Sequence, residues 1–257
     1  MLEGTGMRLL PGRFYFSRQH GAYITLACSW LLSVVLSSRF SISQILVLLF
    51  LMAGLNSGEL IAATIKRKTP LPPEKRKWLG IYLLVSAIMF ALIIPVIESK
   101  LFLVFPFVLV CLIYVVLVAN DLQKHAVAEW IVFLLFSLSG LLAFQSHAVI
   151  ELEYLYKLAF TMTLFFGTSI FTVKARFTRM PLIAGMIYVM FSFTCLYFFY
   201  GVDCLFVSMV CLFLLKFLPV WFAGKWFGKL KIPLIGAMEA IGQILFVLIM
   251  GDCYPKI

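Results

Sequence analysis

Long apolar runs fill almost the whole chain, and its lysines and arginines collect in alternate gaps between them. Runs such as Ile42–Leu55, Leu101–Val118 and Leu205–Leu215 belong in lipid or against one another. In lipid no water satisfies the backbone, so each run must close its own hydrogen bonds as a helix. A mean hydropathy of +1.08, with 63% hydrophobic and 12% charged residues, excludes a soluble globular fold. The fold class is all-α: a polytopic helical membrane bundle.

A span takes about 17–25 residues, so 257 residues accommodate about nine or ten helices and no separate soluble domain. We read spans at 21–37, 42–64, 78–97, 101–119, 126–144, 155–173, 181–200, 203–220 and 234–251. The chain, 1–257, is then one multi-span domain preceded by a short basic cytoplasmic segment, 1–20. Arg8, Arg13 and Arg18 precede the first run as in a signal peptide. No small-residue cleavage motif follows Ala22–Leu36, so it reads as a retained helix. That span is short and carries Ser29, Ser33 and Ser37, which points to tilt or burial among its neighbours.

The net charge of +10 flanks apolar segments rather than forming a stripe interleaved with aromatics, which speaks for membrane topology and against nucleic acid. With the amino terminus in the cytoplasm, the cytoplasmic side receives Arg8 to Arg18, Lys66 to Lys77, Lys124, Lys174 to Arg179, Lys216 and Lys225 to Lys231. The other side receives only Arg39, Lys100, Lys157 and Lys256, and an odd span count leaves the carboxyl terminus there. Of the six cysteines, all but Cys253 lie in or beside apolar runs and behave as small hydrophobes, so neither a disulfide framework nor a zinc site is implied.

Three cytoplasmic loops place basic residues just before Pro-Leu: Lys66–Leu71, Arg176–Leu182 and Lys229–Leu234. Proline in a first helical turn is an ordinary start signal, because its missing N–H has no partner there. The alternative is an internal repeat whose helix groups surround one site.

Ionisable groups within spans are costly and mark candidate sites. Glu59, Glu129 and Glu239 all fall toward the cytoplasmic end, with His20, Asn56, Asn120, Asp121 and Gln243. Helices starting near His20, Ala126 and Leu234 turn their positive dipole ends toward the same region. A polar cavity opening to the cytoplasm follows, rimmed by Lys66, Lys68, Lys174, Arg176 and Arg179, suited to a phosphate or other anionic headgroup with an apolar tail between helices. The plainer alternative pairs each glutamate with a nearby cation at headgroup depth. For Glu129 and Glu239 an early helical position contributes up to about 1 kcal/mol. Glu59 lies near a helix carboxyl end, where a carboxylate is disfavoured, and is the stronger candidate. Gln243 is one turn from Glu239, and Asn56 is i,i+3 to Glu59. Phe191, Phe193, Phe198 and Phe199 read as lipid-facing bulk.

The stretch Gln19-His20-Gly21-Ala22-Tyr23 resembles the Gln/Glu-His-Gly-Ala-Trp element that opens the YwiC-like integral membrane family, with Tyr23 where tryptophan is usual. Length and multi-span layout agree. That resemblance implies no settled biochemistry. A looser one is to UbiA-type prenyltransferases, which have nine helices and a cytoplasm-facing magnesium-diphosphate site built on two Asp-rich motifs. At the first motif this chain has Asn56-Ser57-Gly58-Glu59-Leu60, where only Asn56 matches. At the second it has Thr168 to Arg176, without aspartate. If that fold is shared, magnesium-dependent prenyl transfer is lost, and basic residues near the former metal positions contact phosphate directly.

The reading is therefore a YwiC-like, UbiA-like multi-pass protein of the bacterial cytoplasmic membrane that binds an anionic isoprenoid or lipid at its inner face. Lys66, Lys174 and Arg176 would hold the anion; His20, Asn56 and Glu59 would line the cavity. The alternatives are a small-solute or proton-coupled transporter using the three glutamates, and an assembly partner docking through the basic loops. No catalytic residue, metal ligand set or particular cofactor is specified.

Overall fold

The computed structural model of the chain describes residues 20–37, 40–67, 70–97, 104–122, 125–145, 152–174, 180–222, 229–230 and 232–253. Among them nine helices follow one another and no strand occurs: α1 (His20–Leu36), α2 (Ile42–Arg67), α3 (Pro73–Ile97), α4 (Val104–Ala119), α5 (Ala126–Gln145), α6 (Leu152–Lys174), α7 (Met180–Tyr200), α8 (Cys204–Phe222) and α9 (Ile232–Cys253). Seven are long and apolar enough to cross a membrane, and α1 and α4 are shorter apolar helices. The protein is a multi-pass helical membrane bundle. Each helix covers an expected span. The largest difference is at α3, which starts at Pro73 because the charged turn Glu74–Lys77 stays helical, with Arg76 N–H donating to Pro72 C=O at 3.0 Å.

Short connections make successive helices run up and down, so the bundle has a basic end, where α1 and α9 begin and α2 finishes, and an opposite end. α1 and α5 pack against each other in the middle, with α2 to α4 on one flank and α6 to α9 on the other. Their backbones approach closely at Gly140, where a Cβ would sit 2.8 Å from the Ser29 carbonyl oxygen.

Burial of α1 is possible despite its hydroxyls because these bond their own helix. Thr25 donates to Gly21 C=O, Ser29 to Thr25 C=O, Ser33 to Trp30 C=O and Ser37 to Val34 C=O, at 2.6–3.0 Å. The expected burial of this span is thus found, on a face repeating every four residues. The buried Gln44 ties the turn into α2 by donating to Ser37 Oγ at 2.9 Å and accepting from Ser41 N–H at 3.0 Å.

At the two extremes of the long spans, hydropathy and burial run in opposite senses. α6, with the lowest span hydropathy of 1.2, is 72% buried, whereas α3, at 2.5, is 6% buried. Lipid solvates the most apolar helices, and the hydroxyl-bearing Thr161, Thr163, Thr168, Ser169 and Thr172 are enclosed by protein. Of the four phenylalanines read as lipid-facing, Phe191 and Phe198 are exposed. Phe193 turns inward onto Phe213, with centroids 5.7 Å apart, and Phe199 packs on Phe160 at 5.4 Å.

Candidate functional site

Most of the described charge inside the bundle gathers at three places toward the basic end. The deepest joins α6, α8 and α9. Lys216 Nζ lies 2.6 Å from Glu239 Oε2, and the two side chains are 7% and 13% exposed. Ser169 Oγ donates to Glu239 Oε2 at 2.5 Å, and Thr172 Oγ1 donates to Glu239 Oε1 in a short bond. The ammonium also donates to Ser169 Oγ at 2.9 Å and stands 4.8 Å above the Phe165 ring. That ring belongs to a buried stack, 4.5 Å from Phe246 and edge-on to Phe213. The ammonium thus has two oxygen partners and a ring face, and both oxygens of Glu239 accept hydrogen bonds, which is what a charged pair needs away from water.

This arrangement corrects the expectation for Glu239 and gives Lys216, counted from the sequence among the cytoplasmic-side cations, a partner. Lys216 lies within α8 and is enclosed by protein. Its position inside an apolar run was the signal available in the sequence. Glu239 draws no support from the start of its helix, because α9 begins at Ile232, about 10 Å earlier, and dipole stabilisation fades within the first turn.

The second place joins α5 and α6. Lys174 Nζ and Glu129 Oε2 are 2.7 Å apart, each side chain 34% exposed. Glu129 is in the first turn of α5 and Lys174 is the last residue of α6, so both also oppose a helix dipole favourably. Here the plain pairing holds, and a residue expected to rim an anion cavity is engaged with a carboxylate.

The third place involves α1 to α4. Tyr23 OH donates to Asn56 Oδ1 at 2.6 Å, and Asn56 Nδ2 donates to Met52 C=O at 2.7 Å. Tyr82 of α3 lies within electrostatic reach of Tyr23, and Tyr114 of α4 within reach of Glu59. Glu59 Oε2 is buried without a hydrogen-bond partner among the described residues. Such an oxygen calls for a donor.

Shared helices do not mean shared sites. Gln243 turns from Glu239 to α1, donating to Thr25 Oγ1 at 3.0 Å, and its Oε1 is buried with no hydrogen-bond partner among the described residues. Asn56 is bonded to Tyr23 of α1. Among the remaining candidates, His20 opens α1 and Lys66 lies in the last turn of α2; their side chains, with Lys68, Arg176 and Arg179, fall outside the described residues.

A cavity of about 280 Å³ lies between α2, α3, α4 and α5, lined by Val47, Phe50, Phe90, Ile93, Phe107 and Leu142 among others. Ser86 contributes a polar atom there, a buried Oγ without a hydrogen-bond partner among the described residues. Sequence reasoning missed this cavity, the Lys216 network and the contact of Trp130 Nε1 with Tyr188 OH at 3.0 Å, which joins α5 to α7. Tyr188 OH also donates to Leu164 C=O at 3.1 Å and sits directly over Gly167, where only a glycine leaves it room. Partners so far apart in sequence leave no local pattern.

The oxygen set of a magnesium-diphosphate site does not fit these residues. Where α6 would supply carboxylates, Ser169 and Thr172 donate to Glu239, and Lys216 already neutralises it.

Fold and charges together define a multi-pass helical membrane protein with ionised and hydrogen-bonded groups held between its spans. The family described as YwiC-like protein matches residues 16–144, and the chain belongs to it. That match takes in α1 to α5, including the tyrosine–Asn56 cluster and Glu59; the Lys216–Glu239 network lies beyond it. No curated protein and no solved structure matches the chain.

Proposed function

We propose that this YwiC-like protein binds an amphiphilic lipid of the isoprenoid or anionic class along α2, α3 and α4, in the bacterial cytoplasmic membrane with its basic end in the cytoplasm. The supporting observation is a shared polarity gradient on three helices. Along α2 the chain passes from cavity-lining Phe50 to Asn56 in about 9 Å. Along α3 it passes from Phe90 to Tyr82 in about 12 Å, and along α4 from Phe107 to Tyr114 in about 10 Å. An apolar tail in the cavity would therefore carry its polar end to Asn56 and Glu59. The cavity has room for about nine water-sized groups, a tail segment rather than a whole lipid.

The polar end offers both signs. Glu59 takes a hydroxyl or ammonium donor. Lys66 and Lys68, which follow Glu59 in sequence, are the candidate cations for a phosphate, with Arg176 and Arg179 of the α6–α7 connection as further candidates, whereas Lys174 is paired with Glu129. The test is extraction of gently purified protein followed by mass spectrometry of its bound lipids. One amphiphile should co-purify at fixed occupancy, and Ala87→Phe, which fills the cavity, should lower that occupancy at least tenfold while the helices still unfold cooperatively. Equal lipid content in both proteins, all of it bulk phospholipid, overturns the reading.

Transport is the second reading, and the Lys216–Glu239 pair favours it, since ionised pairs inside spans also serve ion relays. Proton or cation flux in proteoliposomes that disappears in Lys216→Met would support it; tight vesicles would not.

A further inference from the structure

Of the six cysteines, the fold brings two together. Cys204, the first residue of α8, and Cys253, the last of α9, have their sulfurs 3.5 Å apart at the end opposite the basic loops. Cys204 is exposed and Cys253 partly so. Cys28 is buried, and Cys211, though exposed, is about 10 Å further along α8, within the span.

Both backbones are held where the sulfurs meet. α7 ends on Gly201 at φ +67°, whose N–H donates to Tyr197 C=O at 2.8 Å, a left-handed stop suited to glycine. Asp203 then caps α8, its Oδ1 accepting from Phe206 N–H at 2.7 Å. On the other side Gly251 lets the end of α9 lie directly against Val35 of α1. A disulfide has sulfurs about 2.05 Å apart, so closure takes an approach of about 1.5 Å, within reach of side-chain rotation and a small shift at two helix ends.

We propose that Cys204 and Cys253 are a redox-modification site, forming a reversible disulfide that ties the outer ends of α8 and α9. The outward placement rests on the orientation proposed above, which puts this end in the compartment where disulfides persist. The oxidant is an external disulfide, a small-molecule one or that of a thiol oxidoreductase. One thiolate attacks a sulfur of it, its S–S bond breaks and one thiolate leaves. The second cysteine then attacks the mixed disulfide and releases the other half. Two cysteine thiols are oxidised, the external disulfide is reduced to two thiols, and the two protons pass to those.

Intact cells treated with a membrane-impermeant maleimide, then digested without reduction, test this. The expected result is a Cys204–Cys253 linked peptide, lighter by two hydrogen atoms than its reduced form, and no label at either residue. An impermeant reductant should open both to labelling, and Cys204→Ser should leave Cys253 labelled without reductant. Thiols that are free in cells but close when full-length protein meets oxidised glutathione still support a reversible site. Thiols that label in cells and stay open with oxidised glutathione overturn it. Labelling only in inverted vesicles overturns the outward placement, while closure by glutathione there keeps the pairing.

Discussion

Replacing Lys216 with methionine removes the charge at nearly constant side-chain length, and the structure says what is lost. Nζ has Glu239 Oε2 at 2.6 Å, Ser169 Oγ at 2.9 Å and the Phe165 ring at 4.8 Å. In Lys216→Met the Glu239 carboxylate keeps only the Ser169 and Thr172 hydroxyls as donors among the described residues. Stranding one member of a buried pair costs about 3–5 kcal/mol. The lost ring contact, desolvated here, accounts for up to about 2 kcal/mol of that range. Glu239→Leu should cost a similar amount by stranding the ammonium. The double replacement removes both charges, and Thr172 still has the carbonyls of Thr168 and Ser169 within 3.4 and 3.2 Å, so its cost should fall to about 1–2 kcal/mol. Equilibrium unfolding in bicelles, followed by circular dichroism, gives the double-mutant cycle. A coupling energy above about 2 kcal/mol is expected. Additive single effects, with coupling below about 0.5 kcal/mol, would mean that water reaches the pair, and the argument from burial would be wrong.

By contrast, Lys174→Met should change stability by less than about 1 kcal/mol in the same unfolding measurement, because both partners are one-third exposed despite the 2.7 Å contact. Gly140→Leu pushes a side chain into the Ser29 carbonyl and should destabilise by about 1–3 kcal/mol, whereas Gly242→Ala meets nothing within 4 Å and should gain up to about 1 kcal/mol. Tyr23→Phe removes the bond to Asn56 and should cost about 1 kcal/mol; an unchanged midpoint would argue against a cross-helix role for this position.

What could be read along the chain was whatever depends on local composition. Apolar run length set the spans, because a backbone in lipid has no alternative to the helix. The opening element around His20-Gly21-Ala22 pointed to the family, and Asn56 and Glu59 stood out because ionisable and amide groups are rare in such runs. Partner choice was different. Glu239 and Gln243 share α9 one turn apart, yet one bonds α6 and α8 and the other bonds α1. Lys216 read as one more cytoplasmic-side cation until the fold enclosed it beside Glu239, and Cys204 met Cys253 across 49 positions. The sequence by itself determined where apolar helices form and where polar groups interrupt them, since hydropathy acts residue by residue. Only the tertiary structure decided which of those groups satisfy one another, because a buried charge takes its partner from whichever helix packs beside it.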